Sequence, residues 1–211
     1  MPRSTSKRAP RDRREASRGR TPWGTISRET VVEAALRAVA SGGYEDMSIR
    51  SLAADLGVAP MTIYRHVVDK DDLLDEVVDR LLARSWRPSV SRTDWRAWIT
   101  QAADKLRRFL VTSPAALHVY LRHPVVSPAA IARMNAMMAV LRQGMGDEDK
   151  ARRAYAAIHT YTLGFAALEA SRSGWSPGAD DVNGLARELA SYTSPRQFSD
   201  GLCYLLDGIG A

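Results

Sequence analysis

Apolar residues recur every three or four positions along almost the whole of this 211-residue chain, which is the spacing that one face of an α-helix requires. Residues 73–82 show the pattern most plainly, with leucine or valine at six of ten positions. Runs that alternate apolar and polar residues, as half-buried strands do, are absent from the sequence. We therefore predict an all-α fold.

Residues that commonly cap helix N-termini divide this pattern into separate helices. They are Ser27, Ser48, Asp69, Asp94, Ser113, Ser127 and Asp147. Pro60, Pro114 and Pro128 fit the first turn of a helix, where a missing N–H leaves no helical bond unmade. Two last helices are expected at about 182–191 and 196–208.

Composition and residue pattern disfavour several classes of protein. No apolar stretch follows the basic N-terminal residues as in a secretory signal, and no run is long enough for a membrane span. Cys203 is the single cysteine, which excludes an internal disulfide and a cysteine-rich zinc site, and we expect it to be buried packing. The histidines show no recognisable catalytic partner motif. We expect a cytoplasmic protein that is not an enzyme and uses no cofactor.

The most informative segment is residues 48–67, where two short helices are predicted on either side of Gly57. Gly57 is in the position that usually adopts the left-handed conformation at a helix end, and the second helix is expected to end near His66. A short helix, a tight turn and a second short helix form the helix-turn-helix, whose second helix enters the major groove of DNA. Residues with the spacing to pack the two helices together are Ala53, Leu56, Val58 and Ile63. Residues left facing outward are Arg50, Pro60, Met61, Thr62, Tyr64, Arg65 and His66.

Residues 28–86 resemble the TetR family of bacterial regulators. The resemblance rests on the first-helix apolar stripe, on the motif formed by Thr62, Tyr64 and His66, and on the following Lys70. It implies that Thr62, Tyr64 and Lys70 contact phosphates and that base edges are read where Arg50, Pro60, Met61 and Arg65 lie. The chemistry agrees, because a hydroxyl suits one phosphate oxygen whereas a guanidinium can take guanine O6 and N7 together. The Lys70 amine and the exposed N–H groups of its helix could share one phosphate.

The basic excess of the chain lies at its N-terminus. Eight of the 30 Lys and Arg residues but only two of the 24 Asp and Glu residues lie in the first 20 positions, so the rest of the chain is neutral. We predict that residues 1–25 are a disordered arm, which is either merely solvated or strengthens DNA binding by displacing counterions. The other predicted divisions are a DNA-binding domain at 26–70, a connecting helix and linker at 71–90, and a helical effector-binding and dimerisation domain at 91–211.

Specific recognition of double-stranded operator DNA by one short helix requires two copies of it, so we predict a homodimer. The apolar residues Phe198, Leu202, Leu205 and Leu206 are expected to be buried against the partner subunit. The resemblance to the family continues more weakly through residues 162–169 and 198–206. It implies that the last long helices form a four-helix bundle with the partner, where the small Gly164 would fit a close approach or be a tolerated helical glycine.

The resemblance also implies a pocket between the central helices that holds a small-molecule effector. Residues that could line an apolar pocket with a few polar contacts are Trp86, Trp98, Phe109, His118, Tyr120, Met134, Met138, Tyr155, His159 and Phe165. Tyr120 stands where the family's tetracycline-binding members carry a histidine that ligates magnesium, so we expect neither a metal nor tetracycline. A repressor released by its effector is the favoured interpretation, and a DNA-binding protein without an effector is the alternative. Repression and activation use the same DNA contacts, so the sequence does not separate them.

Overall fold

The computed structural model describes residues 26–85, 94–173, 184, 188–189 and 191–210. Throughout these ranges the regular secondary structure is helical and no strand is found, which confirms the predicted class. The helices are α1 (Arg28–Gly42), α2 (Ile49–Leu56), α3 (Pro60–Ile63), α4 (Lys70–Ser85), α5 (Trp95–Thr112), α6 (Pro114–Arg122), α7 (Pro128–Met145), α8 (Glu148–Ser171) and α9 (Pro195–Gly210). The predicted arm, Trp86 and most of the predicted helix at 182–191 lie outside the described residues. None of these helices is long and apolar enough to cross a membrane.

Local capping explains where most of the helices begin. The Ser27 hydroxyl accepts from the backbone N–H of Thr30, and Ser48 forms a reciprocal capping box with Ser51. The Asp94 carboxylate accepts from the backbone N–H groups of Arg96 and Ala97, and the Asp147 carboxylate accepts from that of Lys150. Ser113 precedes α6 as predicted, but its hydroxyl makes no capping bond, so there the start of the helix rests on the proline that follows.

The helices enclose two apolar cores. The first core holds α1 to α4 together with α6 and residues from the second half of α5. The second core lies among α5, α7, α8 and α9. Because α6 packs on α4, and α4 packs on α1 in the same core, a displacement of α6 would reach the N-terminal helices through α4.

From the sequence we expected the last helix to bury its apolar face against a partner subunit, but this face is buried within its own chain. Phe198, Leu202 and Leu206 are buried within their own chain, in the second core, and Leu205 is half-buried there. Cys203, which was expected to be buried packing, is exposed on the opposite side of α9. Periodicity identified an apolar face correctly, but it could not tell whether the helices of the same chain or those of a second chain cover it.

Candidate DNA interface and effector site

The turn between α2 and α3 is fixed by backbone hydrogen bonds. Gly57 has φ +68°, a left-handed conformation that glycine adopts without the clash a side chain would cause. The N–H of Val58 donates to the carbonyl of Ala53 at 2.9 Å, and the N–H of Gly57 donates to that of Ala54 at 3.2 Å. These two bonds form a Schellman motif, which stops α2 and sets the direction of α3. Ala53 and Ile63 are buried between the two helices, as predicted.

The second helix of the motif is shorter than the sequence indicated. It was expected to end near His66, but α3 ends at Ile63 and residues 64–66 form a turn. The N–H groups of His66 and Val67 both donate to the carbonyl of Ile63, which tightens the chain at this point.

Most of the predicted DNA-contacting residues are accessible to a ligand. Tyr64 is 47% exposed and Met61 is 70% exposed. The remaining exposed residues of the set are Arg50, Pro60 and Arg65, and the half-buried ones are Thr62, His66 and Lys70. Neither Arg50 nor Arg65 has an ion-pair partner within the described ranges, so both guanidinium groups keep their donors for another molecule.

The start of α4 differs from the expected phosphate site. The carboxylate of Asp69 accepts from the N–H groups of Asp71 and Asp72, each at 2.9 Å. These N–H groups are therefore already bonded and cannot share a phosphate with Lys70. The Lys70 ammonium lies 5.9 Å from the centroid of the Tyr44 ring, at the same end of the helix.

An ion-pair network attaches α4 to the DNA-binding helices. Arg28 donates to Glu76 at 2.6 Å, to Asp72 at 3.0 Å and to the backbone carbonyl of His66 at 2.5 Å. The Arg28 guanidinium lowers the pKa of the Asp72 carboxyl by this hydrogen bond. One side chain thus joins α1, the end of the α3 turn and α4. Nothing in the sequence indicated this role, because the partners lie 38 to 48 residues away from Arg28.

A second set of contacts attaches the same helix to the larger domain. Asp71 pairs with Arg122 at the end of α6, and the Asp75 carboxylate lies 3.3 Å from Nε2 of His123. The Asp79 carboxylate accepts from the backbone N–H of Ala129 at 2.8 Å, in the first turn of α7. The polar side of α4 therefore bonds to the DNA-binding helices and to α6 and α7.

A groove of about 630 Å³ lies along these contacts. It is lined by Asp72, Asp75, Glu76, Asp79, Arg80, His123, Pro124, Val125, Val126, Ser127 and Pro128. None of the nine predicted effector residues that the structure describes is among them.

Three predicted effector residues come together elsewhere, around an arginine that sequence reasoning missed. The rings of Tyr155 and His159 stack with centroids 5.5 Å apart, and the Tyr120 ring lies 6.3 Å from that of His159. Arg133 donates to Nδ1 of His159 at 3.1 Å and is 2% exposed. A signal for Arg133 existed, because it lies on the same helical stripe as the apolar residues of α7 at positions 130, 137, 138 and 141.

The other predicted effector residues are distributed over the two cores and the surface. The ring of His118 lies 5.0 Å from that of Tyr44 of the N-terminal region, tilted by 33°, and the rings of Phe165 and Phe198 meet edge to face at 5.1 Å. Phe109 packs against the first core, Trp98 and Met138 belong to the second, and Met134 is exposed.

The architecture is that of a DNA-binding regulator. A helix-turn-helix, on which the guanidinium groups of Arg50 and Arg65 are exposed, is joined through one long helix to a larger helical domain. Residues 31–77 match the family described as "Bacterial regulatory proteins, tetR family". Residues 87–211, more than half of the chain, match "Tetracyclin repressor-like, C-terminal domain". The protein belongs to the TetR family of transcriptional regulators.

Individual relatives agree with this family. The HTH-type transcriptional repressor DrrR1 of Streptomyces coeruleorubidus is 33% identical over 138 residues, which are 64% of this chain and 50% of that protein. The chain spans half to just under two thirds of the length of the first curated relatives that it matches.

Solved structures show the same fold. ActR of Streptomyces coelicolor superposes with a TM-score of 0.71 at 24% identity, covering 87% of this chain and 96% of that chain. BioQ of Mycobacterium smegmatis superposes with a TM-score of 0.67 at 26% identity, covering 88% and 98%.

Proposed function

We propose that this protein is a homodimeric repressor that binds operator DNA through α2 and α3 and is released by a small-molecule effector. The observation that carries the proposal is that Arg50 and Arg65 are exposed on the helix-turn-helix and have no ion-pair partner within the described ranges. The turn at Gly57 holds the two helices of this motif in a fixed geometry. The repressor name of DrrR1 supports it, as do the complexes of ActR with (S)-DNPA and actinorhodin. As a regulator of genomic DNA it would act in the cytoplasm, in a regulatory rather than a catalytic role.

Each DNA-facing residue has a role that follows from its chemistry. The single hydroxyl donors of Tyr64 and Thr62 and the ammonium of Lys70 would hold phosphates, which positions the protein without reading sequence. Arg50 and Arg65 can make paired bonds to a guanine edge. The apolar surfaces of Pro60 and Met61 suit the methyl group of thymine. The half-buried His66 would support the end of the turn, where its carbonyl is held by Arg28.

Dimerisation would use the outer faces of α8 and α9. Leu168 is 52% exposed and Tyr204 is 73% exposed, although both are large apolar or aromatic residues. Nothing in the described chain lies within 4 Å of the position that a Cβ atom would take at Gly164, so a partner helix could approach α8 closely there. This face replaces the buried Phe198 stripe as the candidate interface.

Helix α4 is the element through which the effector would act. It is bonded to α1 and the α3 turn through Arg28, and to α6 and α7 through Arg122 and Ala129. An effector that binds better when α6 and α7 are displaced would tilt α4 and change the separation of the two α3 helices in the dimer. It can do so only by its differential affinity for the two states, so effector and operator would bind antagonistically and reciprocally.

The proposal is tested with DNA duplexes that the full chain selects from a random pool. Fluorescence anisotropy would compare wild type, Tyr64→Phe and Arg50→Ala with Arg142→Ala, a control that removes an exposed arginine of α7, away from the helix-turn-helix and from the proposed dimer faces of α8 and α9. We expect both helix-turn-helix variants to bind more weakly and the control to bind as wild type does. Wild-type affinity in both helix-turn-helix variants would contradict the proposal.

A further inference from the structure

Two arginines are buried among the described residues of the larger domain, and only one of them has a counter-charge there. Arg107 is 4% exposed, and it pairs with Glu169 at 2.6 Å and with Asp104 at 2.8 Å. Arg133 is 2% exposed, and no carboxylate of the described chain lies within 4 Å of it. Its partners are the uncharged Sδ of Met137 at 3.0 Å and Nδ1 of His159 at 3.1 Å.

The donors of this cluster are also incompletely used. The Nε–H of Arg133 is buried and has no hydrogen-bond partner in the described chain. The phenol oxygen of Tyr120 lies beside Arg133, which can only donate to it, so the buried O–H of Tyr120 has no acceptor in the described chain. A buried donor without an acceptor is unfavourable, and a buried charge without a counter-charge is more so. One anionic group that accepts from both side chains would relieve both at once.

The protonation of the neighbouring residues favours an anion as well. Burial, followed by the Arg133 charge, lowers the pKa of His159 to about 4, so the imidazole is neutral and accepts from the guanidinium. Burial raises the pKa of Tyr120, so its phenol remains a donor at neutral pH. Asp79 is the acidic residue whose charge acts on Tyr120, and its carboxylate is bonded to the N–H of Ala129 rather than to Arg133.

The arrangement of the aromatic rings indicates what kind of molecule bears the anionic group. Tyr155 and His159 are parallel within 11°, and the Tyr120 ring is inclined to that of His159 by 51°. Aromatic rings offer flat faces and edges that pack against another ring system. One guanidinium and one phenol match the acceptors of a single carboxylate, whereas a phosphate dianion would leave charge uncompensated.

We propose that the effector is an aromatic carboxylic acid, whose carboxylate binds Arg133 and Tyr120 and whose ring system packs against Tyr155 and His159. This assignment rests on the proposed function and names the ligand class of its effector site. Arg133 is the residue that determines selectivity for an anion, and the three aromatic residues determine selectivity for a planar ligand.

The test uses 2-naphthoate and the uncharged 2-naphthamide, which share the same ring system. Calorimetric titration of the full wild-type chain should show about tenfold or greater preference for naphthoate, as expected for a charge-assisted hydrogen bond. Arg133→Met should reduce this preference to about onefold. Arg142→Met, which removes an exposed arginine of the same helix, should leave it unchanged.

A second variant keeps the test decisive if Arg133→Met does not fold. Tyr120→Phe removes only a hydroxyl whose proton has no acceptor in the described chain, and it should weaken naphthoate binding more than naphthamide binding. The assignment would be overturned if the wild type bound the two probes equally well or bound neither of them. It would also be overturned if Arg133→Met kept the preference for naphthoate. Failure of the proposed function is seen separately, as absence of selected DNA binding by the ligand-free wild type.

Discussion

Replacing Arg107 with methionine should destabilise the protein, whereas the same replacement at Arg133 should stabilise it. Arg107 bonds α5 to α8 through Glu169, and its guanidinium lies 5.2 Å from the Phe198 ring of α9. Removing it leaves the Glu169 carboxylate, which is 18% exposed, without its partner. Breaking a buried ion pair costs about 3–5 kcal/mol. We expect the lower end, about 3 kcal/mol, because the two carboxylates keep some access to water.

The change at Arg133 has the opposite sign because no pair is broken. Methionine fills much of the volume of the arginine stem and removes a buried charge that has no carboxylate partner within the described ranges. Replacing buried charge with apolar side chains often stabilises a protein by about 1–4 kcal/mol. The loss of the weak bonds to Met137 and His159 offsets part of this, so we expect about 1 kcal/mol.

Thermal denaturation followed by circular dichroism measures both effects. At about 2–4 °C per kcal/mol for a chain of this size, the midpoint should fall by about 6–12 °C for Arg107→Met and rise by about 2–4 °C for Arg133→Met. Arg142→Met, at an exposed site, should change the midpoint by about 1 °C or less. An unfolding midpoint for Arg133→Met as low as that of Arg107→Met would refute the inference that the charge of Arg133 is unpaired in the ligand-free protein.

Three further predictions concern DNA binding and acid stability. Arg50→Ala should relax the preference at one base position of each half-site by about 1–3 kcal/mol, whereas Tyr64→Phe should weaken binding to all duplexes equally. Competition with duplexes that carry single-base changes measures both effects, and the reverse pattern would exchange the roles of the two residues. Deleting residues 1–20, which carry eight basic residues, should make the dependence of affinity on salt shallower, and an unchanged slope would leave the arm merely solvated. Because the pKa of His159 falls from 6.5 to about 4 on folding, its stabilising contribution is present above 6.5 and is lost as pH falls towards 4. His159→Phe should therefore flatten stability against pH in that window, and an unchanged slope would contradict this origin.

Features that depend on neighbouring residues in the sequence were predicted well. The caps at Ser27, Ser48 and Asp94 and the left-handed turn at Gly57 are found where the sequence placed them. Each uses bonds within about one helical turn, so the information is local. The end of α3 was missed because its tightening at Ile63 is a backbone effect with no side-chain signal.

Features that depend on distant residues were not predictable. Arg28 reaches Glu76 across 48 positions, and Arg107 reaches Glu169 across 62. Periodicity showed that Phe198 lies on an apolar face, but the choice between its own chain and a partner is made by the packing of α5 and α8. Arg133 was overlooked because a single arginine on an apolar stripe is usually ascribed to the surface.

The central claim is that two copies of the helix-turn-helix read one operator. Selection of duplexes from a random pool by the full chain, followed by sequencing and hydroxyl-radical footprinting, tests it most directly. The account predicts an inverted-repeat motif whose half-site centres are separated by about one turn of DNA, roughly 34–36 Å, or by a multiple of it. An enriched motif without two-fold symmetry, or no enrichment at all, would contradict it.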